Sequence, residues 1–466
     1  MNIAAPQLPL EVDVKLIRKL DRSGPRYTSY PTADRFVEAF GHDAYRLWAA
    51  GRNLGGIQRA LSLYVHLPFC NAVCFYCACN KIVTRDHAKA DRYLAYLARE
   101  IGLQGALFRE DNRVGQMHWG GGTPTFYDSA QLAALFARLR DQFEFAPDGE
   151  YSIEIDPRTV DAAGMQALRA MGFNRVSLGV QDFDPEVQRA VNRLQSEEQT
   201  LAIIAAARRC EFASVNVDLI YGLPRQNLLT FNRTLGRVIA AGVDRIAVYN
   251  YAHLPARFKP QRRISEKDLP TPETKLKLLA LSVQRLTDAG YVYIGMDHFA
   301  RPGDALTVAQ RQGRLHRNFQ GYSTHPDCDL VGLGVSAIGG VGPMYSQNHR
   351  DLAAYYDSLD RGVLPIMRGM ELDADDLLRR AVIQALMCHF ALSKESIEIA
   401  YLVDFDRYFS SELADLRGLE QEGLLDLADG WINVTARGRM LVRNICMVFD
   451  KYLRHEHATS RYSRVI

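Results

Sequence analysis

The chain has 466 residues, 47% of them apolar and 24% charged, which is more than one hydrophobic core usually organises and far from a disordered or collagen-like composition. Its 56 Lys and Arg nearly balance 54 Asp and Glu, so no overall field draws it to nucleic acid, and an anionic ligand has to meet a local basic patch. No apolar run reaches the roughly 18 residues of a membrane helix, and the start, Met1-Asn2-Ile3-Ala4-Ala5-Pro6, lacks the basic-then-apolar layout of a signal peptide. A cytoplasmic protein with no membrane insertion and no nucleic-acid partner is expected.

The first 55 residues show no strand alternation and contain Gly24-Pro25-Arg26-Tyr27-Thr28-Ser29-Tyr30-Pro31-Thr32-Ala33, a proline-bounded aromatic stretch that reads as an arm. From residue 56 short β-branched or aromatic runs alternate with stretches of helical period. The strand candidates are Leu61 to His66, Gln116 to Gly120, Tyr151 to Asp156, Arg175 to Val180, Ser214 to Ile220 and Arg245 to Tyr251. Helical period marks Asp91 to Phe108, where Leu94, Leu97 and Ile101 recur, and the Ala-rich Leu201 to Arg209. Such alternation predicts parallel strands joined by helical crossovers, an α/β barrel or an open doubly wound sheet. Polar and glycine residues gather directly after the strands, at Pro68–Cys79, Gly120–Thr125, Asp156–Arg158, Gln181–Phe183, Tyr221–Pro224 and Ala252–Pro255, the strand ends that carry the site in both architectures. After Gly369 an apolar stripe of Leu377, Leu378, Ala381, Val382, Ala385 and Leu386 predicts a small, mainly helical domain, followed by a turn and short strand at Leu425 to Val434. The expected segments are therefore 1–55, 56–369 and 370–466.

Of eight cysteines, four crowd into ten residues: Cys70, Cys74, Cys77 and Cys79. That crowding points to metal or redox chemistry rather than a disulfide framework, while the scattered Cys210, Cys328, Cys388 and Cys446 read as small buried hydrophobes. Cys70-x-x-x-Cys74-x-x-Cys77 places three thiolates in one loop after a strand, a way to hold a cubane cluster by three of its four irons and leave the fourth open to a small molecule. The bland alternative is a zinc site completed by Cys79, although zinc ligands usually come as two pairs separated by a longer loop. The glycines of Gly120-Gly121-Gly122-Thr123-Pro124 let backbone amides approach a ligand closely.

At these residues the chain resembles the radical S-adenosylmethionine superfamily, whose motif is this spacing with an aromatic, here Tyr76, before the last cysteine. The resemblance implies a partial (β/α)6 barrel, a 4Fe-4S cluster on Cys70, Cys74 and Cys77, and cleavage of S-adenosylmethionine to a 5'-deoxyadenosyl radical. The likeness tightens to the oxygen-independent coproporphyrinogen III oxidases over Pro25–Ala33, Cys79–Arg85, Gly179–Phe183, Asp218–Pro224, His298–Pro302, His316–Tyr322 and Ser463–Ile466. It implies oxidative decarboxylation of two propionates of coproporphyrinogen III to vinyl groups in porphyrin biosynthesis, with two S-adenosylmethionine molecules, a monomeric enzyme and an electron-donor protein such as a flavodoxin or ferredoxin. A related heme-binding chaperone shares the cysteine loop and is the alternative. Carried over by motif, Tyr64, Tyr76, Gly121, Glu154 and Ile338 contact the cluster-bound cofactor, and Gly122, Thr123, Gln181, Arg193, Asp218 and Ala252 the second one. Relatives often have Phe at the position of Tyr76, whose hydroxyl needs a partner if buried. For the tetra-anionic substrate, Arg26, Arg301 and Arg317 are the candidate contacts, each in a matched segment.

Overall fold

The computed structural model describes residues 10–53, 58–326 and 328–454. The matched Ser463–Ile466, like Met1–Pro6, lies outside the described residues. Among those described, the chain forms two compact units, one of residues 36–271 with 328–371, the other of 10–35, 272–326 and 372–454.

The first unit contains the six expected strands, β1 (Leu61–Leu67), β2 (Arg113–Gly121), β3 (Glu144–Ile155), β4 (Arg175–Gln181), β5 (Ser214–Tyr221) and β6 (Arg245–Asn250). They lie side by side in chain order, each parallel to the next. Between them run α1 (Ala88–Leu107), α2 (Ser129–Arg140), α3 (Ala162–Met171), α4 (Glu197–Arg209) and α5 (Leu228–Ala240). Parallel strands joined by helices are what the alternation predicted, and their number agrees with the partial (β/α)6 barrel that the resemblance implied. Strand β1 reads Leu-Ser-Leu-Tyr-Val-His-Leu and is almost wholly buried, as a strand covered on both faces must be.

The helices begin where short polar side chains can take up the unpaired first amides. Asp128 and Gln131 form a reciprocal capping box at α2, as Asn227 and Thr230 do at α5, while Asp161 and Ser196 cap α3 and α4. On the outer face of the sheet Trp119 of β2 stands edge-on to Phe173, ring centroids 5.0 Å apart, with Phe136 of α2 against both.

Four more strands, which the sequence reading did not place, extend the other side of β1: β7 (Asp329–Leu333), β8 (Ile338–Val341), β9 (Met344–Asn348) and β10 (Ile366–Glu371). β7 is parallel to β1, and β8 to β10 then run antiparallel, in the order β10-β9-β8-β7-β1. They were hard to see because they are short and glycine-interrupted, and β9, Met-Tyr-Ser-Gln-Asn, is buried without apolar alternation.

The second unit is mainly helical. Helix Ala374–His389 carries the expected stripe, with Leu378, Val382 and Leu386 buried, and the turn and strand at Leu425–Val434 prove to be a hairpin joined by a third strand, Ala391–Ser393. Residues of the arm are built into its core. Tyr27 is 1% exposed and donates its hydroxyl to Asp450, and the Arg443 guanidinium donates to the carbonyls of Gly24 and Pro25.

Candidate active site

The cysteine loop leaves the end of β1 and is tied down at both ends. Phe69–Cys70 pairs in parallel with Ile82–Val83, the Thr84 amide donates to the Cys70 carbonyl at 3.0 Å, and the Lys81 ammonium donates to the Cys77 carbonyl at 3.1 Å. Midway, the Phe75 amide donates to the Val191 carbonyl, and Phe75 and Tyr76 pack on a core of Val187, Val191, Leu223, Tyr251 and Ile264. The loop thus presents its three sulfurs from a braced frame.

Cys70, Cys74 and Cys77 line one end of a cavity of about 300 Å³ at the C-terminal ends of the strands. The Thr123 hydroxyl donates to the Cys70 sulfur at 3.3 Å, and the Tyr76 side chain lines the cavity with Cys74. Burial pushes the Cys70 thiol up to about 11, whereas a hydrogen bond from Cys79, with Lys81 close by, draws Cys77 down. Among the described residues no three His, Cys, Asp or Glu side chains converge as ligands of a single ion. Thiolates that each take a different corner of a cubane need no such convergence, and a loop of three sulfurs facing an open cavity fits that group.

The glycine turn approaches from β2. A Cβ on Gly122 would sit 2.4 Å from the Pro68 carbonyl oxygen, so only glycine lets the two loops meet, and Gly121 takes φ +115°. From β3, Glu154 projects into the cavity, which leaves its side chain 44% accessible although it is set deep in the unit. It pairs with His118 at 3.3 Å and accepts from the Gly121 amide at 3.3 Å. Burial raises its pKa, but His118 and the amide outweigh burial and hold it below the ordinary range. Asp218 on β5, held by Ser177 and Asn216, is instead pushed up to about 6 by burial and by the charge of Glu154. Two carboxyl groups of one cavity therefore differ in charge near pH 6.

Gln181 sits at a register shift where β4 leaves β5 and takes φ +68°, a left-handed conformation that costs a non-glycine residue about 1 kcal/mol or more. The bend aims its amide at the cavity, and its Oε1 is buried with no hydrogen-bond partner among the described residues. Asp182 secures the turn by accepting from the Thr234 hydroxyl, the Gln226 amide and the Asp184 amide. Arg193 lines the same wall, 7% exposed, and donates to Asp156, to the Gly179 carbonyl and to the Cys74 sulfur.

Tyr64, Ala252 and Ile338 do not line this cavity. Tyr64 lies on β1 with its hydroxyl 3.1 Å from His66 Nδ1 and its ring stacked on His118. Ala252 follows β6, and its carbonyl, like that of Tyr76, accepts from the buried Gln261 amide. Ile338 opens β8, with its backbone pressed against Gly332. Arg26, Arg301 and Arg317 belong to the other unit. Arg26 pairs with Asp297, Arg317 is 3% exposed over the Tyr322 ring with its Nε donating to the Arg26 carbonyl, and Arg301 lies at the surface over Tyr291. Arg158, Lys81, Ser177 and Tyr249 also line the cavity and were not singled out, since nothing in their local spacing distinguishes them from ordinary strand or loop residues.

Parallel strands that deliver a three-cysteine loop, a glycine turn and opposed carboxylates to one cavity define a radical SAM enzyme. Residues 64–238 match the radical SAM superfamily and residues 372–441 the HemN C-terminal domain. The chain is 52% identical to the oxygen-independent coproporphyrinogen III oxidase of Pseudomonas aeruginosa over 97% of its own length and 98% of the relative's. It is 50% identical to the Escherichia coli enzyme of the same name over 98% and 99%. A solved structure titled as coproporphyrinogen III oxidase (HemN) from Escherichia coli, a radical SAM enzyme, superposes with TM-score 0.91 at 49% identity, covering 96% of this chain and all of that one. The chain belongs to the oxygen-independent coproporphyrinogen III oxidase family, oxidoreductases of porphyrin biosynthesis. No helix among the described residues is long and apolar enough to cross a membrane.

Proposed function

We propose that this enzyme converts coproporphyrinogen III to protoporphyrinogen IX without oxygen, decarboxylating two propionates to vinyl groups, with a 4Fe-4S cluster on Cys70, Cys74 and Cys77. The observation that carries the reading is that these sulfurs, the Gly121–Thr123 turn and Glu154 face one cavity. When bound, the cluster and S-adenosylmethionine would supply the 5'-deoxyadenosyl radical that takes a hydrogen atom from the β carbon of a propionate, after which carbon dioxide leaves and one electron passes to an external acceptor.

This chain's residues bind and orient. Glu154, kept ionised, suits the ammonium of an amino-acid moiety beside the cluster, with the Gly121 backbone close by. Tyr64, Tyr76 and Ile338 are assigned with Gly121 and Glu154 as contacts of that cluster-bound cofactor. A second S-adenosylmethionine is assigned to Gly122, Thr123, Gln181, Arg193, Asp218 and Ala252. The unpartnered Gln181 Oε1 asks for a donor, Arg193 suits a carboxylate, and Asp218 suits ribose hydroxyls. Arg26, Arg301 and Arg317 are assigned to substrate propionates. We assign the enzyme to the cytoplasm, a reducing compartment that suits free cysteines and an iron–sulfur cluster, and propose a monomer served by an electron-donor protein of the flavodoxin or ferredoxin kind.

The test is anaerobic reconstitution with iron and sulfide, followed by detection of protoporphyrinogen IX from coproporphyrinogen III, S-adenosylmethionine and a reductant, beside a Cys74→Ala control. Product from the wild type alone supports the proposal. Cofactor cleavage with no vinyl product, or tight heme binding instead, rejects it in favour of a heme chaperone.

A further inference from the structure

Behind Cys74 three charged side chains are locked together. Asp156, just past the end of β3, is 7% exposed, and its carboxylate accepts from the Arg158 amide at 3.1 Å, Arg158 Nε at 2.9 Å, Arg158 Nη2 at 2.6 Å and Arg193 Nη1 at 3.1 Å. The same Nη1 of Arg193 lies 3.6 Å from the Cys74 sulfur, within reach of a sulfur hydrogen bond, while Nη2 donates to the Gly179 carbonyl at 2.7 Å. Arg193 is thereby aimed at one sulfur of the loop by two fixed acceptors. Burial works against all three charges, yet Asp156 is held below the ordinary carboxylate range by its two arginines, so the set stays ionised. Two guanidiniums and one carboxylate leave it a net charge of +1.

We infer that this set tunes the reduction potential of the cluster: Arg193 acts directly through Cys74, Asp156 is the positioning residue that holds Arg193 and offsets its charge, and Arg158 is the balancing cation. The inference rests on the proposed cluster at Cys70, Cys74 and Cys77. Reduction adds one negative charge to the cluster, so a nearby cation or a donor to a ligating sulfur stabilises the reduced form, and a nearby anion disfavours it. The set is dry enough for such charges to act with little screening, since the side chains of Asp156 and Arg193 are 7% and 9% exposed.

A charge ladder tests this on the full-length, reconstituted protein, with iron and sulfide content as the measure of assembly and the midpoint read by a dye-mediated titration followed by electron paramagnetic resonance. Asp156→Asn takes the set from +1 to +2 and is expected to raise the midpoint, so that at the wild-type midpoint more than half of its cluster is reduced. Arg193→Gln takes it to zero and also removes the donor to Cys74, so less than half is reduced. Arg158→Gln takes it to zero but keeps that donor, and its midpoint falls between Arg193→Gln and wild type. Arg193→Lys keeps the charge and lies nearer wild type than Arg193→Gln does. A purely structural role would change cluster content or melting temperature without these opposite shifts. Coincident midpoints, or Asp156→Asn and Arg158→Gln moving in the same direction, overturn the inference. If Arg193→Gln assembles no cluster, those two variants decide alone. If the wild type itself assembles none, the function proposed above has failed, which is a different result.

Discussion

Glu100 offers a sharp check on the electrostatics of this fold. It lies on α1, 0% exposed, and accepts from the Tyr355 hydroxyl at 2.6 Å, the Asn348 amide at 2.7 Å and the Gly334 amide at 2.7 Å. These partners are neutral, so burial dominates and pushes the carboxyl from 4.5 up to about 7. The folded protein therefore takes up a proton that the unfolded chain releases. The stabilisation is fully present below about pH 4.5 and is lost as the pH rises through 7. A shift of that size corresponds to roughly 3 kcal/mol. Glu100→Gln cannot titrate and turns an NH2 group toward donors, at a cost of about 1 kcal/mol. It should be slightly less stable than wild type at pH 5 and about 2 kcal/mol more stable at pH 8.5. At about 2 °C per kcal/mol for a domain of this size, the difference in Tm between variant and wild type should climb by about 5 °C over that range. Circular dichroism melts of both proteins across the range measure it. Parallel Tm curves would refute the assignment of a proton to Glu100. The point bears on the site, because Glu100 and the Tyr93 hydroxyl hold the Gly334 and Val335 amides at the start of the loop that leads to Ile338.

Three further outcomes are expected. Glu154→Gln should weaken S-adenosylmethionine binding, read by calorimetry on the reconstituted protein, by about 10-fold to 100-fold, the worth of one charge-assisted hydrogen bond of about 1.5–3 kcal/mol. Gly122→Ala should lose cluster on reconstitution while melting within a few degrees of wild type, since its new methyl meets the Pro68 carbonyl at 2.4 Å and displaces the cysteine loop rather than the core. Trp119→Ala should cost about 3–5 kcal/mol and give mostly insoluble protein, because Trp119 is fully buried against Phe136 and Phe173.

The six parallel strands were legible because each contains a run of β-branched and aromatic residues bounded by glycine or polar loops; five fall within a few residues of the expected bounds, while β3 begins at Glu144, seven residues before the expected Tyr151. The cysteine loop was legible because three thiolates at fixed short spacing serve few purposes other than ligation. Residues whose position depends on the partner strand were not. Strands β7 to β10 carry no alternation of their own, and Tyr249 of β6 lines the cavity although nothing in its local sequence marks it. Gln181 was named from its motif, but its left-handed turn and its lack of a partner are facts of the register shift between β4 and β5.

What the sequence determined by itself was therefore local: element type, the composition of the loops and the crowding of the cysteines into one of them, since periodicity and spacing are properties of neighbouring residues. What only the tertiary structure decided was the pairing of residues far apart in the chain. Asp156 meets Arg193, Glu100 meets Tyr355 and Asn348, and the arm's Tyr27 meets Asp450, each across a separation that no local pattern encodes. The second compact unit likewise draws on three separated stretches. The physical reason is that burial and charge are set by the surroundings of a side chain, and for these groups almost all of the surroundings come from elsewhere in the fold.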